Sequence, residues 1–493
     1  MKQFIQPSPT ARPYCLPTAA MRLLATVALC GTLVACAFGP GGQPPELGSP
    51  EHYGVMPTPA QTVPANGETQ YFVDATQPVT KWWKRYGSAQ LDALVDEALA
   101  GNLDLAAARH RLEAAREQWS AQAGATRLPS IDIGAQAARQ RDLGLPIEGL
   151  PPTSLYNTFV GQAQVQYTFD LFGANRYKNQ ALADRVGQQA AELQAARNAV
   201  AANVVSGAIS LAGRQAQIGI LEDLIALSRK DEADTLRQHA LGAASRSSVL
   251  DARRGAAALS AQLPELNARA LAARHALAVL LGRSPNQAPP ALKFDSLVLP
   301  AQLPVLVPSA LLASRPDVQA ADAALKAAAA DVGAATANMF PRITLSASMG
   351  RGGFDWSTAT SGAGAIWSLA SGITAPVFHG GALRAQRRAA AQTYEAAVAQ
   401  YKNTVLSAFQ EVADSLASLE QGSLSLAQAD AAQDAAQEQF ENTRQQVSLG
   451  ALPPAAARAM SRQAAQAQLD ALRYKTLRML DTARLLHAMG AAP

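Results

Sequence analysis

Thiols are nearly absent. The three cysteines, Cys15, Cys30 and Cys36, fall within the first 36 positions of a 493-residue chain, so neither a disulfide framework nor a cysteine zinc site spans the rest. Aromatic residues make up only 5% and charged residues 16%. That is poor in the bulky side chains of a large globular core. The alanine runs at 327–330 and 455–457 suit long helices packed closely through small residues. With 42 Lys+Arg against 38 Asp+Glu, the net charge of +4 is neither large nor clustered, which excludes a nucleic-acid surface. The six histidines, His52, His110, His239, His275, His379 and His487, stand far apart, and no two have metal-ligand spacing. No Gly-Lys-Ser/Thr phosphate loop and no nucleophile elbow occur. Asp96-Glu97 and Asp231-Glu232 lie in helical patterns with Lys or Arg nearby, which reads as surface pairing. The expectation is therefore no catalytic residue, no metal and no enzyme, and any energy for work must come from a partner. The hydrophobic fraction of 48% excludes a disordered chain.

What is present begins at the N-terminus. Met21-Arg22 followed by Leu23 to Leu29 has the form of a basic n-region and an apolar h-region, too short to span a bilayer comfortably. It ends in Leu33-Val34-Ala35-Cys36, which resembles a bacterial lipobox. Residues 1–35 are expected to be a signal peptide, with Met21 as an alternative start because Pro7, Pro9, Pro13 and Pro17 precede it. Cys36 is expected to carry the covalent lipid, diacylglycerol and an N-acyl chain, with no other cofactor; three chains anchor better than one. In lipoproteins Ala37, rather than Asp, at the next position points to the outer membrane. Residues 36–88 are rich in Pro and Gly and read as an extended tether.

From Leu91 apolar residues recur at helical spacing as far as Trp119, without proline until Pro129. The period then changes to two, predicting strands at about 130–142 and 156–172. In the second, Ala163, Val165, Tyr167, Phe169 and Leu171 alternate with Gln162, Gln164, Gln166, Thr168 and Asp170. An aromatic-rich face opposite a Gln/Thr face fits a membrane-barrel strand better than a half-buried soluble one: Ile131 and Val165 outward to lipid, Gln162, Gln164 and Gln166 inward to the lumen. A helix from Gly173 to about Ala240 would be ~100 Å long at 1.5 Å per residue, longer than an ordinary domain can house. It turns at Leu241-Gly242, and a second arm follows from about Val249 to Leu281.

The order then repeats. Residues 89–283 form the first repeat with its tip at about 241–248, residues 284–310 a Pro-rich linker, and residues 311–490 the second repeat. This has strands at about 342–352 and 364–378, including outward Leu345 and Trp367, and a tip at about 449–456. Leu449-Gly450 matches Leu241-Gly242. The fold class is thus a mixed α/β membrane protein built from a duplicated helix–β-hairpin–long helix–helix unit. Four strands cannot close a barrel, and an open edge in lipid leaves backbone groups unsatisfied. Eight would be filled by side chains, so a pore needs a homotrimer with twelve strands.

These residues together resemble the outer-membrane factor family, the TolC-like and OprM-like channels, in its NodT-type lipoprotein branch. The carrying features are the Cys36 lipobox, Trp82-Trp83, Asn102-Leu103-Asp104-Leu105, Arg127-Leu128-Pro129, Phe169 to Gly173, Ser314 to Val318 and the two Leu-Gly turns. The resemblance implies a barrel through the outer membrane, an α-helical tube in the periplasm, a periplasmic adaptor and an inner-membrane RND-type pump. The function it implies is a passive efflux exit duct for small molecules. The exit duct of a type I protein secretion system and a pore-free structural envelope lipoprotein are the alternatives. It also implies a gate at the helical tip, for which Leu241, Asp251, Leu449 and Arg462 are the candidates. Here Ser248, Ala456 and Ala459 stand where the family commonly has acids, and Arg246, Arg253, Arg254 and Arg458 surround the turns. An entrance held by Arg–Asp251 pairs and by packing of Leu241, Leu449 and Leu452 is expected.

Overall fold

The computed structural model describes residues 39–143 and 153–490, apart from Glu46, Ser49, Met56, Asn66 and Gly67. The expected signal peptide and Cys36 lie outside the described residues. The chain divides into two compact units, one holding residues 123–180 and 329–392, the other residues 42–122, 181–328 and 393–490.

The first unit is built on a four-stranded antiparallel sheet in the order β2-β3-β5-β6: β2 (Ser130–Leu143), β3 (Thr153–Phe169), β5 (Arg342–Gly353) and β6 (Ala365–Thr374). Two strands end earlier than their alternation suggested. β3 stops at Phe169 instead of 172, because the Asp170 carboxylate turns back to accept the backbone N–H groups of Asn175 and Arg176. It thereby caps the next helix. β6 stops at Thr374 instead of 378, leaving Val377 and Phe378 in an exposed connection. The central pair approaches closely at Gly350, where a Cβ would come within 2.2 Å of the Gly161 carbonyl oxygen. A one-and-a-half-turn helix, α7 (Trp356–Thr360), joins β5 to β6, and Asp355 caps it by accepting from Thr358 N–H at 2.8 Å.

The second unit is mainly helical. The first helical stretch is interrupted, against expectation. α1 (Ala89–Gly101) ends at Asn102, whose Oδ1 accepts from Leu105 N–H at 3.0 Å and so starts α2 (Leu103–Arg127). The two long helices, α3 (Ala174–Ala240) and α8 (Ala382–Ser448), have 67 residues each and return through α4 (Arg246–Leu280) and α9 (Pro454–Ala488), of 35 residues each. Both turns are built alike. Gly242 and Gly450 take φ of 77° and 73°, and the next residue's N–H reaches back to Gln238 O and Gln446 O at 2.8 and 2.9 Å. Only glycine adopts this conformation without strain, so both helices end in a Schellman motif.

The tether and linker are more structured than their composition indicated. β1 (Tyr71–Ala75) runs parallel to β4 (Gln302–Leu306), and Trp82–Tyr86 forms a short 3₁₀ turn. Trp82, Trp83 and Tyr86 are fully buried with Leu91, Val95, Val204, Ile209, Leu277 and Met479. Burial of three such rings outweighs the extended tendency of the flanking prolines. Buried Arg478 of α9 fastens the tether: its Nε donates to Gln70 Oε1 and its Nη2 to Thr62 Oγ1, each at 3.0 Å. After α5 (Pro308–Ser314), Arg315 precedes α6 (Pro316–Ala337) and joins three elements. It pairs with Asp317 and Glu411, each at 2.7 Å, and donates to Ala488 O at 2.9 Å.

Candidate functional site

Cross-strand partners in an antiparallel sheet project to the same face. The register Ile131↔Val165↔Ala347↔Leu369 therefore sets those four side chains on one face, with Tyr167↔Leu345 and Ala163↔Met349↔Trp367 in the same set. The opposite face receives Gln162 beside Gly134 and Gly350, Gln164 beside Asp132 and Ser348, and Gln166 beside Ser130 and Ser346. All three Gln side chains named from the sequence thus share one polar face, and Ile131, Val165, Leu345 and Trp367 share the apolar one. Along β3 the apolar positions run from Phe159 to Phe169. Ten steps of ~3.3 Å, tilted by about 40°, give a band roughly 25 Å tall, the height of a membrane-barrel wall. Aromatic rings mark both ends of this band: Phe159 lies edge-on to Trp356, and Tyr167 edge-on to Phe169, with centroids 5.8 and 5.0 Å apart.

Among the described residues this apolar face is left largely open. Ile133 is 87% and Trp367 81% exposed. Nor are the outer edges of β2 and β6 paired with another strand among the described residues. In water such a sheet would aggregate along its edges. Among the described residues no helix is long and apolar enough to cross a membrane.

At the ends of the long helices the sequence candidates are placed differently from one another. Leu241 and Leu449 are 84% and 76% exposed, so neither is packed away among the described residues. Asp251 pairs with Arg254 of its own helix, at 3.2 Å, both exposed. Arg462 does meet a carboxylate, but it is Asp231 of α3. Arg458, one turn before it on α9, contacts Asp231 through Nε and Asp234 through Nη2, the latter at 2.8 Å. Arg237 also pairs with Asp234. The Arg458 and Asp231 side chains are 17% and 16% exposed, so this network is far better shielded than the Asp251 pair. A cleft of about 430 Å³ beside it gathers Asp231, Asp234, Asp251, Arg458 and Arg462. Sequence reasoning missed Asp231 and Asp234 as partners of α9. Two acids one turn apart on one face of α3, with two Arg one turn apart on α9, were the available signal.

Among the described residues no cluster of His, Cys, Asp and Glu could hold a metal ion. Arg478, His487 and Asp317, in the second unit, are among the titratable groups moved by their surroundings. Burial lowers the pKa of Arg478, against Glu68 and Asp430, which raise it. Burial lowers that of His487, reinforced by Arg315 and opposed by Glu411 and Asp317. For Asp317 burial acts upward, but the Arg315 hydrogen bond and charge outweigh it and the pKa falls.

Comparison with known proteins agrees with this geometry. The family model described as "Outer membrane efflux protein" matches residues 94–283 and 307–491, the two repeats. The outer membrane protein OprJ of Pseudomonas aeruginosa is 33% identical over 346 residues, covering 68% of this chain and 70% of that protein. The pyoverdine export outer membrane protein OpmQ of Pseudomonas putida is 31% identical over 378 residues, 75% of this chain and 77% of that one. Among solved structures, the outer-membrane channel OprN superposes with a TM-score of 0.78 at 25% identity, over 92% of this chain and 99% of that chain. VceC of Vibrio cholerae superposes at 0.73 with 26% identity, over 84% and 99%. The chain belongs to the outer membrane efflux protein family and is an outer-membrane channel component of an efflux system.

Proposed function

We propose that this chain works as a homotrimer, a passive exit duct anchored by lipid on Cys36 and supplied by a periplasmic adaptor and an inner-membrane RND-type pump. The observation that carries the reading is the two-faced, four-stranded sheet with unpaired β2 and β6 edges. Three copies joined edge to edge make twelve strands, satisfy every edge and turn the polar face into an aqueous lumen. The Gln162, Gln164 and Gln166 side chains then line the pore, while lipid meets the face of Val165 and Trp367. At the entrance, the Asp231–Arg458–Asp234–Arg462 network binds α3 to α9 within each protomer. Widening there has to carry the two helices together or break the network. With no catalytic site expected, the chain contributes a conduit, and chemical selection falls to the pump.

The test is a cysteine pair across the proposed seam, Asp132→Cys on β2 and Ser368→Cys on β6, both on the polar face, scanned with neighbouring positions, in mature protein whose one other cysteine is the lipid-blocked Cys36. Oxidation is expected to give a covalent trimer that conducts in planar bilayers. Protein that stays monomeric throughout the scan, or a trimer without conductance, would refute the duct.

A further inference from the structure

The outward face of the sheet carries a second pattern, of charge. On β2 the outward positions run Ile131, Ile133, Ala135 and Ala137, and then change to Arg139 and Arg141. Their partners on β3 pass from Phe159 to polar Asn157 opposite Arg139, while Arg141 stands opposite the exposed apolar Leu155. Arg351 of β5, paired with Gly161, belongs to the same face one outward position inside Phe159, so its long side chain has to reach out toward the rim. All three arginines are exposed. Arg351 donates to Thr360 O at 2.6 Å, which holds its guanidinium against α7. Beside it, Trp356 lies edge-on to Phe159, and Trp356 and Phe354 are both 69% exposed. In the β5–β6 turn the Asp355 carboxylate is engaged by Ser357 and Thr358.

These residues stand at the hairpin end of the sheet, opposite the end where α2 delivers the chain and α3 takes it away. An exposed aromatic rim followed at once by cations, on the lipid side of a barrel wall, is complementary to a layer of anionic headgroups. Arg139 and Arg141 are two residues apart on one face, so their heads lie ~7 Å apart along the strand and can straddle one phosphate or two adjacent ones. Arginine offers the planar, bidentate geometry that phosphate oxygens accept. Resting on the outward-face reading given above, the end of the sheet where α2 leads in and α3 leads out faces the periplasm and the hairpin end the outer leaflet. We propose that Arg139, Arg141 and Arg351 form a clasp for the phosphate groups of the outer-leaflet glycolipid. Each trimer carries three such clasps, and they fix the height of the barrel in the membrane.

The experiment uses the purified full-length protein in detergent, titrated with a dansyl-labelled diphosphoryl glycolipid. Energy transfer from tryptophan to the dansyl group reports binding. Each cation near an anionic headgroup layer is worth about fivefold in affinity, so Arg139→Gln/Arg141→Gln is expected to weaken binding by at least tenfold. Removing both phosphates from the glycolipid should weaken binding to the unaltered protein by a similar factor. Arg139→Lys/Arg141→Lys should recover most of the affinity, which separates charge from misfolding. Unchanged binding by the Gln variant, or by the dephosphorylated lipid, overturns the clasp. Equal affinity for labelled phosphatidylglycerol overturns the assignment to the glycolipid. The same Gln variant is also measured in planar bilayers, where conductance and ion selectivity should not change. A changed selectivity would place these arginines in the lumen and overturn the outward-face reading together with the clasp, whereas unchanged selectivity with unchanged lipid binding removes the clasp alone.

Discussion

Replacing Val165 by Arg tests the assignment of the sheet's faces at its centre. Val165 is the middle-strand partner of Ile131 and Ala347. It stands four residues before Phe169 and six after Phe159, the two ends of the apolar band. At ~3.3 Å per residue and a tilt near 40°, that places it roughly 10 Å above the inner rim of a ~25 Å band. A cation facing lipid near the midplane costs about 2–4 kcal/mol. Gln164 lies at nearly the same depth on the other face, between Asp132 and Ser348. There Arg would stand opposite a carboxylate and gain about 0.2–1 kcal/mol as a cross-strand pair. The two substitutions add the same charge one residue apart, yet the stability gap between them should be at least ~2 kcal/mol, roughly thirtyfold in the folding equilibrium. Denaturant titration of folding into phospholipid vesicles measures it. Because both variants add one Arg per chain, net charge and unfolded-state effects largely cancel. Equal losses from Val165→Arg and Gln164→Arg, or a larger loss from the latter, would refute the register and with it the lumen assignment of Gln162, Gln164 and Gln166.

Three further outcomes follow from the same physical arguments. At the tip, Arg458→Ala leaves Asp231 and Asp234 short of a cation in a mostly shielded site; between an exposed pair at 0–1 kcal/mol and a buried one at 3–5, the loss should be about 1–3 kcal/mol, against under ~1 for Asp251→Ala. Conductance recordings should show the tip opening more readily in Arg458→Ala than in Asp251→Ala, and the reverse order would contradict the network. Cys36→Ser should abolish acylation and loosen membrane attachment, with mass spectrometry of the mature N-terminus as the check; an unmodified cysteine there in the parent protein would refute the anchor. His487 is held neutral by burial and by Arg315, so its folded pKa lies below the unfolded value near 6.5. Between those two values the unfolded chain takes up a proton that the folded chain refuses. Stability should therefore fall as pH is lowered from about 7.5 through 6.5, and His487→Gln should flatten that slope in thermal melts; an unchanged slope would assign it to other groups.

The sheet was legible because its information is local. A strand in which Gln162, Gln164 and Gln166 alternate with Ala163, Val165 and Tyr167 declares its two faces within a few residues, and one slip of register would invert all of them. The long helices were legible because proline is absent and both Leu-Gly turns carry the same punctuation. What stayed hidden depends on partners far away in the chain. β1 pairs with β4 more than 200 positions later, and no local pattern in a Pro-rich tether announces a parallel partner. The break at Asn102 was hidden for another reason: Leu99, Leu103 and Leu112 keep helical spacing through it, although Leu103 is 73% exposed and only Leu105 and Leu112 are buried in α2. Strand ends were overestimated where a polar residue changed role, Asp170 turning from a strand position into a helix cap. At the tip, Asp231 reads from sequence as one more surface acid, because its partner Arg458 is 227 positions away.

The duplication makes that tip network more informative than an isolated pair of charges. The shift of 208 that carries Leu241 onto Leu449 also carries Asp231 and Asp234 onto Gln439 and Asn442, and Leu250 onto Arg458. The first copy of the unit therefore has acids on its long helix and an apolar residue on its return arm. The second has amides on its long helix and an arginine on its return arm. Had both copies kept acids and cations alike, each hairpin could have satisfied its charges against itself or against any equivalent hairpin in an oligomer. With the charges divided between the copies, a shielded pair forms only where the first copy's long helix meets the second copy's return arm, and α3 against α9 is that contact. Arg462 fits the same logic. Its counterpart Arg254 exists in the first copy, but there the carboxylate within reach is Asp251 on its own helix, and the pair stays exposed. Equivalent arginines thus make one local surface bridge and one long-range shielded bridge, and only the second can hold two helices together. Charge divided in this way specifies which helix neighbours which at an end where the Ala-rich seams on either side are too uniform to do so by shape.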